Sequence, residues 1–98
     1  ANARYLEDRI NEAVAEQPAL QHVVLQCSAI NDIDASALES LEAIQVRLAE
    51  AGVRLHLSEV KGPVMDRLHG TPFMQHLNGE VYLTHYQAIA KLAPESLA

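Results

Sequence analysis

Residues 30–38 of the chain read Ile30-Asn31-Asp32-Ile33-Asp34-Ala35-Ser36-Ala37-Leu38. They follow an apolar run at residues 23–27 that is typical of a buried strand, and they precede a helical pattern that continues to about residue 51. Open α/β sheets place ligand or regulatory sites at such a turn, where free helix amides and the positive end of the helix dipole are exposed. The stretch therefore predicts an α/β fold and the position of its functional loop.

Composition limits the classes of function. The 98 residues suffice for one small domain, and the net charge of −6 argues against nucleic acid as a partner, because nucleic-acid binding needs a basic face. No apolar run approaches the roughly 20 residues of a membrane span, so direct membrane insertion is not expected. The single Cys27 predicts a reducing compartment. The chain opens in a helical pattern without Met, which suggests a piece of a longer protein.

Apolar spacing predicts four helical and three extended segments in alternation. They cover residues 2–17, 22–27, 36–51, 53–58, 62–77 with a break at 70–72, 80–83, and 84–93. Strands joined through helices by short loops pair in parallel, so the predicted fold is α/β with a small, mainly parallel sheet. Three strands make a thin sheet. We expect at least one more strand N-terminal to Ala1, without which a sheet edge stays open for pairing with another chain.

The histidines and the cysteine predict no metal site. The five histidines lack the spacing of metal ligands and are expected to lie scattered on the surface: His22, His56, His69, His76 and His85. His56 falls on the polar face of the alternating strand 53–58, where titration near pH 6–7 is expected. Cys27, at the end of a strand, is predicted to be a small core residue.

Four segments carry a resemblance to a known family. They are Ala1-Asn2-Ala3 with Leu6 and Arg9-Ile10, Ile33-Asp34-Ala35-Ser36-Ala37-Leu38 with Leu41, Gly52-Val53-Arg54-Leu55, and Val60-Lys61-Gly62-Pro63-Val64 with Leu68. In this order they resemble the STAS domain, most closely the C-terminal cytoplasmic STAS domain of SulP-family anion (sulfate) transporters. The resemblance implies a STAS-like fold, with residues 1–98 as one STAS domain that lacks its N-terminal strand or strands.

The resemblance also implies a function. A SulP tail would be a non-catalytic regulatory domain on the cytoplasmic side of the inner membrane, and anion transport would belong to the transmembrane part. The expected partners are that transmembrane part, a cytosolic regulatory protein, or a second copy that pairs as a dimer. No cofactor is expected, and nothing in the residues supports nucleotide binding. No Gly-x-Ser-x-Gly or Walker loop is present, so no enzymatic activity is expected.

The alternative implied by the resemblance is a stand-alone anti-sigma factor antagonist, a partner-switching regulator. In that branch, the Ser directly after the Asp of this turn accepts a phosphate. Here that position is Ala35, which has no hydroxyl. Ser36 has one, but its spacing to Glu39 predicts a helix capping box, which we favour over a phosphosite.

The predicted partner or regulatory loop consists of Asn31, Asp32, Asp34, Ala35 and Ser36. Its two carboxylates disfavour an anionic ligand unless a cation accompanies it. Asp34 is the alternative helix cap, so truncation of Asp34 or of Ser36 to Ala is expected to lower stability.

Overall fold

The computed structural model describes residues 3–93. Its elements in chain order are α1 (Ala3–Glu16), β1 (His22–Gln26), α2 (Ala35–Glu50), β2 (Arg54–Ser58), α3 (Gly62–Leu68), α4 (Pro72–His76), β3 (Val81–Tyr82) and α5 (His85–Leu92). The strands form one sheet in the order β1-β2-β3, and both pairs are parallel. The α/β class and the small parallel sheet are thus confirmed. The strand expected before Ala1 lies outside the described residues.

The ends of the helices follow local sequence rules. Gly52 follows α2 with φ of 74°, the left-handed conformation that glycine adopts without strain. The Thr71 side chain accepts the Met74 N–H at the start of α4. Thr84 and Gln87 form a capping box at the start of α5, as their spacing predicts. Gly52 thus marks the end of α2, and the two threonines mark the starts of α4 and α5.

One face of the sheet carries the main apolar core. Leu55 and Leu57 of β2 are fully buried and belong to one cluster with Ile44 and Leu48 of α2. Helix α1 packs against α2, and its Ile10 joins the same cluster. The 3.6-residue spacing of the apolar side chains in α2 therefore places them on the one face that packs on β2 and α1.

On the opposite face of the sheet, the side chains of β2 are polar but buried. His56 and Ser58 alternate with the two leucines of β2, and their relative exposure is 0%. Helix α5 contacts all three strands, and Ala88 in its middle is fully buried. The expectation of a surface histidine is therefore wrong for His56, because α5 covers the face on which it lies.

Strand β1 occupies an edge of the sheet. Its residues His22 to Leu25 are half-buried. The run of three apolar residues at 23–25 predicts more complete burial, on both faces of the strand. Alternation in a parallel ladder directs the N–H and C=O groups of His22, Val24 and Gln26 away from β2. Within residues 3–93 no strand pairs with this side.

Side-chain hydrogen bonds join the turn before β3 to β2. Asn78 Oδ1 accepts the Leu55 N–H at 3.0 Å, and Arg54 Nε donates to the Asn78 carbonyl at 2.9 Å. Gly79 lies so close to β2 that a Cβ atom on it would be 1.9 Å from the Leu55 carbonyl oxygen. Only glycine fits at this position, because backbone atoms cannot move aside as the end of a side chain can.

We expect Gly79→Ala to lower the free energy of unfolding by about 1–3 kcal/mol, through overpacking against the β2 backbone. Urea denaturation followed by circular dichroism measures the change. Gly62→Ala is the matched control, because nothing lies within 4 Å of a Cβ built there. Equal stability of the two variants would contradict the close packing of the turn.

Candidate functional site

The loop between β1 and α2 lies at the carboxyl edge of the parallel sheet. Its middle residue, Ile33, is only 4% exposed and packs in the main core. The Asp32 side chain accepts the Ile33 N–H at 2.9 Å, and the Ile30 N–H donates to the Cys27 carbonyl at 3.0 Å. One buried side chain and two local hydrogen bonds therefore hold the loop in place.

The residue that caps α2 is Asp34. Its Oδ1 accepts the Ala37 N–H at 2.8 Å, and its backbone is extended, as a cap requires. The predicted capping box that starts at Ser36 is wrong, because α2 begins at Ala35 and Ser36 already lies inside its first turn. The alternative assignment of Asp34 as the cap is confirmed.

Two cationic side chains reach the loop from the next connection along the chain. Arg67 of α3 donates from Nη2 to the Ile33 carbonyl at 2.9 Å. The Lys61 ammonium, just before α3, donates to Asn31 Oδ1. Sequence analysis missed both residues. The topology was the available signal, because the connection after β2 leaves the sheet at the same edge as the connection after β1.

These contacts place two positive charges beside a loop whose own charged side chains are both negative. Lys61 and Arg67 lie beside a loop that carries Asp32 and Asp34, so this edge holds cationic as well as acidic side chains. The five residues of the predicted loop all lie on the exposed surface: Asn31, Asp32, Asp34, Ala35 and Ser36. The structure thus presents them together as a firmly held polar surface.

Cys27 lies beneath this edge and is buried, as predicted for a small core residue. Its Sγ is 3.4 Å from the Leu25 carbonyl oxygen. Burial raises the pKa of the Cys27 thiol to about 11, and the hydrogen bond with the backbone of Ser58 offsets only part of that rise. The thiol is therefore protonated at neutral pH and is a poor nucleophile.

Ser58 and His85 lie close together but lack the arrangement of a catalytic triad. Ser58 Oγ is 2.9 Å from His85 Nδ1, yet Ser58 has no exposed surface. The nearby carboxylate, Glu59, accepts the His85 backbone N–H at 3.0 Å and does not orient the ring. The three residues instead join the end of β2 to the start of α5.

Residues 3–93 contain neither a cluster of metal ligands nor a membrane-spanning helix. No group of three or more His, Cys, Asp or Glu side chains is placed there to hold a metal ion. None of the helices in this part of the chain is both long and apolar enough to cross a bilayer.

Sequence comparison places this architecture in a family. The STAS domain family model matches residues 1–88, which is most of the chain and includes the sheet, the polar loop and the two cationic residues beside it. The chain belongs to the STAS domain family. This agrees with the parallel three-stranded sheet and its flanking helices, and it confirms the resemblance inferred from the sequence.

The relatives of this STAS domain include much longer proteins. It is 31% identical over 100 residues to "Sulfate transporter 3.2" of Arabidopsis thaliana and 31% identical over 103 residues to "Probable sulfate transporter 3.4" of the same plant. It is 25% identical over 108 residues to "High affinity sulfate transporter 2" of Stylosanthes hamata. These matches cover 92%, 95% and 100% of the chain but only 16% of each relative.

We expect Asp34→Ala to lower the free energy of unfolding by about 0.5–2 kcal/mol, because the Ala37 N–H then loses its acceptor. Ser36→Ala is the matched control and should leave stability nearly unchanged, in contrast to the expectation from sequence. Thermal unfolding of both variants tests the assignment. A larger loss for Ser36→Ala would show that the cap is misassigned.

We expect Cys27 to react slowly with iodoacetamide in the folded protein. With a pKa of about 11, the thiolate fraction at pH 8 is about one thousandth, and burial restricts access further. The same labelling in about 6 M guanidinium chloride, which unfolds most domains, is the control and should go to completion. Mass spectrometry measures the labelled fraction. Equal rates in the two conditions would contradict the buried placement of the thiol.

Proposed function

We propose that this STAS domain is a non-catalytic regulatory domain of a SulP-type sulfate or anion transporter. The observation that carries the proposal is the similarity of nearly the whole chain to three proteins named as sulfate transporters. Because the chain spans 16% of their length, transport itself is proposed to belong to the remaining part of the protein. The domain works on the cytoplasmic side of the inner membrane and needs no cofactor.

The proposed docking surface is the loop of Asn31, Asp32, Asp34, Ala35 and Ser36. Three features support this assignment. The side chains of these five residues are exposed, and the buried Ile33 side chain holds the loop backbone on the core. Arg67 of α3 also donates a hydrogen bond to the Ile33 carbonyl. A surface that is ordered before binding loses little conformational entropy when a partner docks. The proposed partner is the transmembrane part of the same transporter, with a cytosolic regulatory protein as a second partner.

The anti-sigma factor antagonist is the less favoured function. Ala35 has no hydroxyl at the position where that branch carries its phosphoacceptor, and the relatives compared above are transporters. Ser36 is exposed in the first turn of α2. Incubation with a cognate kinase distinguishes the two functions: phosphate on Ser36 would favour the antagonist, and no incorporation is expected for a transporter domain.

We expect Asp32→Lys to reduce sulfate uptake severalfold in the full-length protein, because it reverses the charge on the proposed docking surface. The measurement is uptake of labelled sulfate, normalised to the amount of protein in the membrane. Glu50→Lys makes the same charge change at the other end of α2, about 24 Å away along a 16-residue helix. Uptake by that control should remain close to the unmodified level.

Thermal unfolding of both variants separates docking from folding. If Asp32→Lys folds normally and transports sulfate at the unmodified rate, the loop is not the docking surface. The reading frame around this segment tests the broader proposal. It should encode a series of hydrophobic segments of about 20 residues each upstream of this domain. A frame without them would overturn assignment to a transporter.

A further inference from the structure

A chain of hydrogen-bonding groups crosses the sheet beneath α5. The Glu80 backbone N–H donates to His56 Nδ1 at 3.0 Å, and His56 Nε2 lies 3.0 Å from His22 Nδ1. A backbone N–H can only donate, so His56 Nδ1 is an acceptor and the ring proton is on Nε2. His56 therefore donates to His22 Nδ1, which carries no proton either. The Glu80 N–H, which can only donate, thus determines which nitrogen of His56 carries the proton and which nitrogen of His22 accepts it.

The surroundings of His56 leave no place for a second ring proton. The side chain has no exposed surface, and its Nδ1 faces the tightly packed turn at Gly79 and Glu80. A Cβ atom on Gly79 would lie 2.8 Å from this nitrogen. A proton on Nδ1 would point at the Glu80 N–H, and two donors cannot form a hydrogen bond. Protonation of His56 therefore breaks the link to Glu80.

Glu80 also takes part in the backbone bonds that join β3 to β2. Its carbonyl accepts the Leu57 N–H at 3.0 Å, and the Glu59 N–H donates to the Tyr82 carbonyl at 3.2 Å. Strand β3 has only two residues, and α5 begins three residues after it. Loss of the bond between Glu80 and His56 thus removes one of the hydrogen bonds that hold β3 and the turn before it on β2.

The charged and titratable groups around His56 come from every neighbouring element. His22 of β1, Arg54 of β2 and Glu80 act on His56 directly, and the Tyr82 ring of β3 lies 5.8 Å from its ring. From α5, Lys91 reaches Glu80 and His85 reaches Ser58. Lys91 Nζ lies 3.5 Å from Glu80 Oε2, and Tyr82 donates to the same carboxylate oxygen at 3.0 Å. The Glu80 carboxylate, which alone would favour a protonated His56, is therefore already occupied by two partners.

We propose that the groups His22, His56 and Glu80 form an acid-sensitive latch. Protonation of His56 turns its Nδ1 from an acceptor into a donor, breaks its bond to the Glu80 N–H, and so makes it easier for β3 and α5 to separate from β2. The apolar core between β2, α1 and α2 lies on the opposite face of the sheet and stays folded. Release uncovers the α5 side of the sheet, so acidification changes the surface that the domain presents.

The direction of the pH dependence follows from the environment of His56. Burial lowers the pKa of His56 below 6.5, and the neighbouring His22 and Arg54 lower it further, whereas Glu80 raises it. The released state leaves His56 in water and binds a proton more readily than the closed state. The closed state is therefore favoured at neutral pH, and release becomes easier as the pH falls below about 6.5.

Nuclear magnetic resonance of the histidine nitrogens tests the closed state. At pH 7.5 we expect His56 to be neutral with its proton on Nε2, and this proton to be shared in a hydrogen bond with His22 Nδ1. A proton on His56 Nδ1 would overturn the proposal outright.

Amide hydrogen exchange tests the release. We expect the protection factors of Leu57, Glu59 and Glu80 to fall about tenfold per pH unit below about pH 6.5, because opening takes up one proton. Amides of α2 should remain better protected at each pH. Protection that does not change with pH at Glu80, or equal protection in β3 and α2, would contradict a local latch.

His56→Asn separates the latch from general acid sensitivity. The Asn Oδ1 can accept the Glu80 N–H but cannot be protonated, so the pH dependence at Glu80 should disappear. His69→Asn, at an exposed histidine just after α3, is the control and should keep it. A pH dependence that survives in His56→Asn would overturn the proposal. If that variant does not fold, the two measurements on the unmodified protein still decide.

Discussion

The burial of the last four residues of β2 is the constraint on which the rest of the structure depends. Leu55, His56, Leu57 and Ser58 are each at most 1% exposed, with β1 and β3 on either side and helices on both faces. The two leucines gain from this burial. The two polar residues lose their hydration, so each must find a hydrogen-bond partner inside the protein. His56 bonds to Glu80 and His22, and Ser58 bonds to His85.

These partners determine how the second half of the domain is assembled. They belong to β1, to the turn before β3, and to the start of α5, so the buried polar groups of β2 connect these three parts of the chain. The main apolar cluster contains residues from α1, α2, β2, α3 and α4 but none from α5. The domain thus has an apolar side held by packing and a polar side held by directional bonds. Directional bonds that include histidines respond to protonation, whereas packing does not.

The division between an apolar and a polar side also explains how the loop of the candidate site is held. The loop before α2 is anchored on the apolar side through Ile33, and its surface is shaped by Arg67 and Lys61 from the following connection. A loop held in this way keeps one conformation while its polar side chains face outward. This combination suits a surface that recognises another protein, and it is the physical basis of the regulatory role proposed for this STAS domain.

Local and periodic features were predictable because they depend on neighbours in the chain. The spacing of Leu41, Ile44 and Leu48, the caps at Thr71 and Thr84, and the parallel order of the strands all follow from residues a few positions apart or from short connections. The choice between Asp34 and Ser36 as the cap was less certain, since both are good capping residues two positions apart. Helix α2 begins at Ala35, and this start makes Asp34 the cap.

Features that join distant parts of the chain were not predictable from this sequence. His22 and His56 are 34 positions apart, as are Arg67 and Ile33. No local pattern marks such pairs. The sequence by itself determined the helices, the strands, their parallel pairing and the family. Only the tertiary structure decided that α5 covers His56. The burial of a strand residue depends on which element packs on its face of the sheet, and the alternation of polar and apolar residues in the strand does not show which element that is.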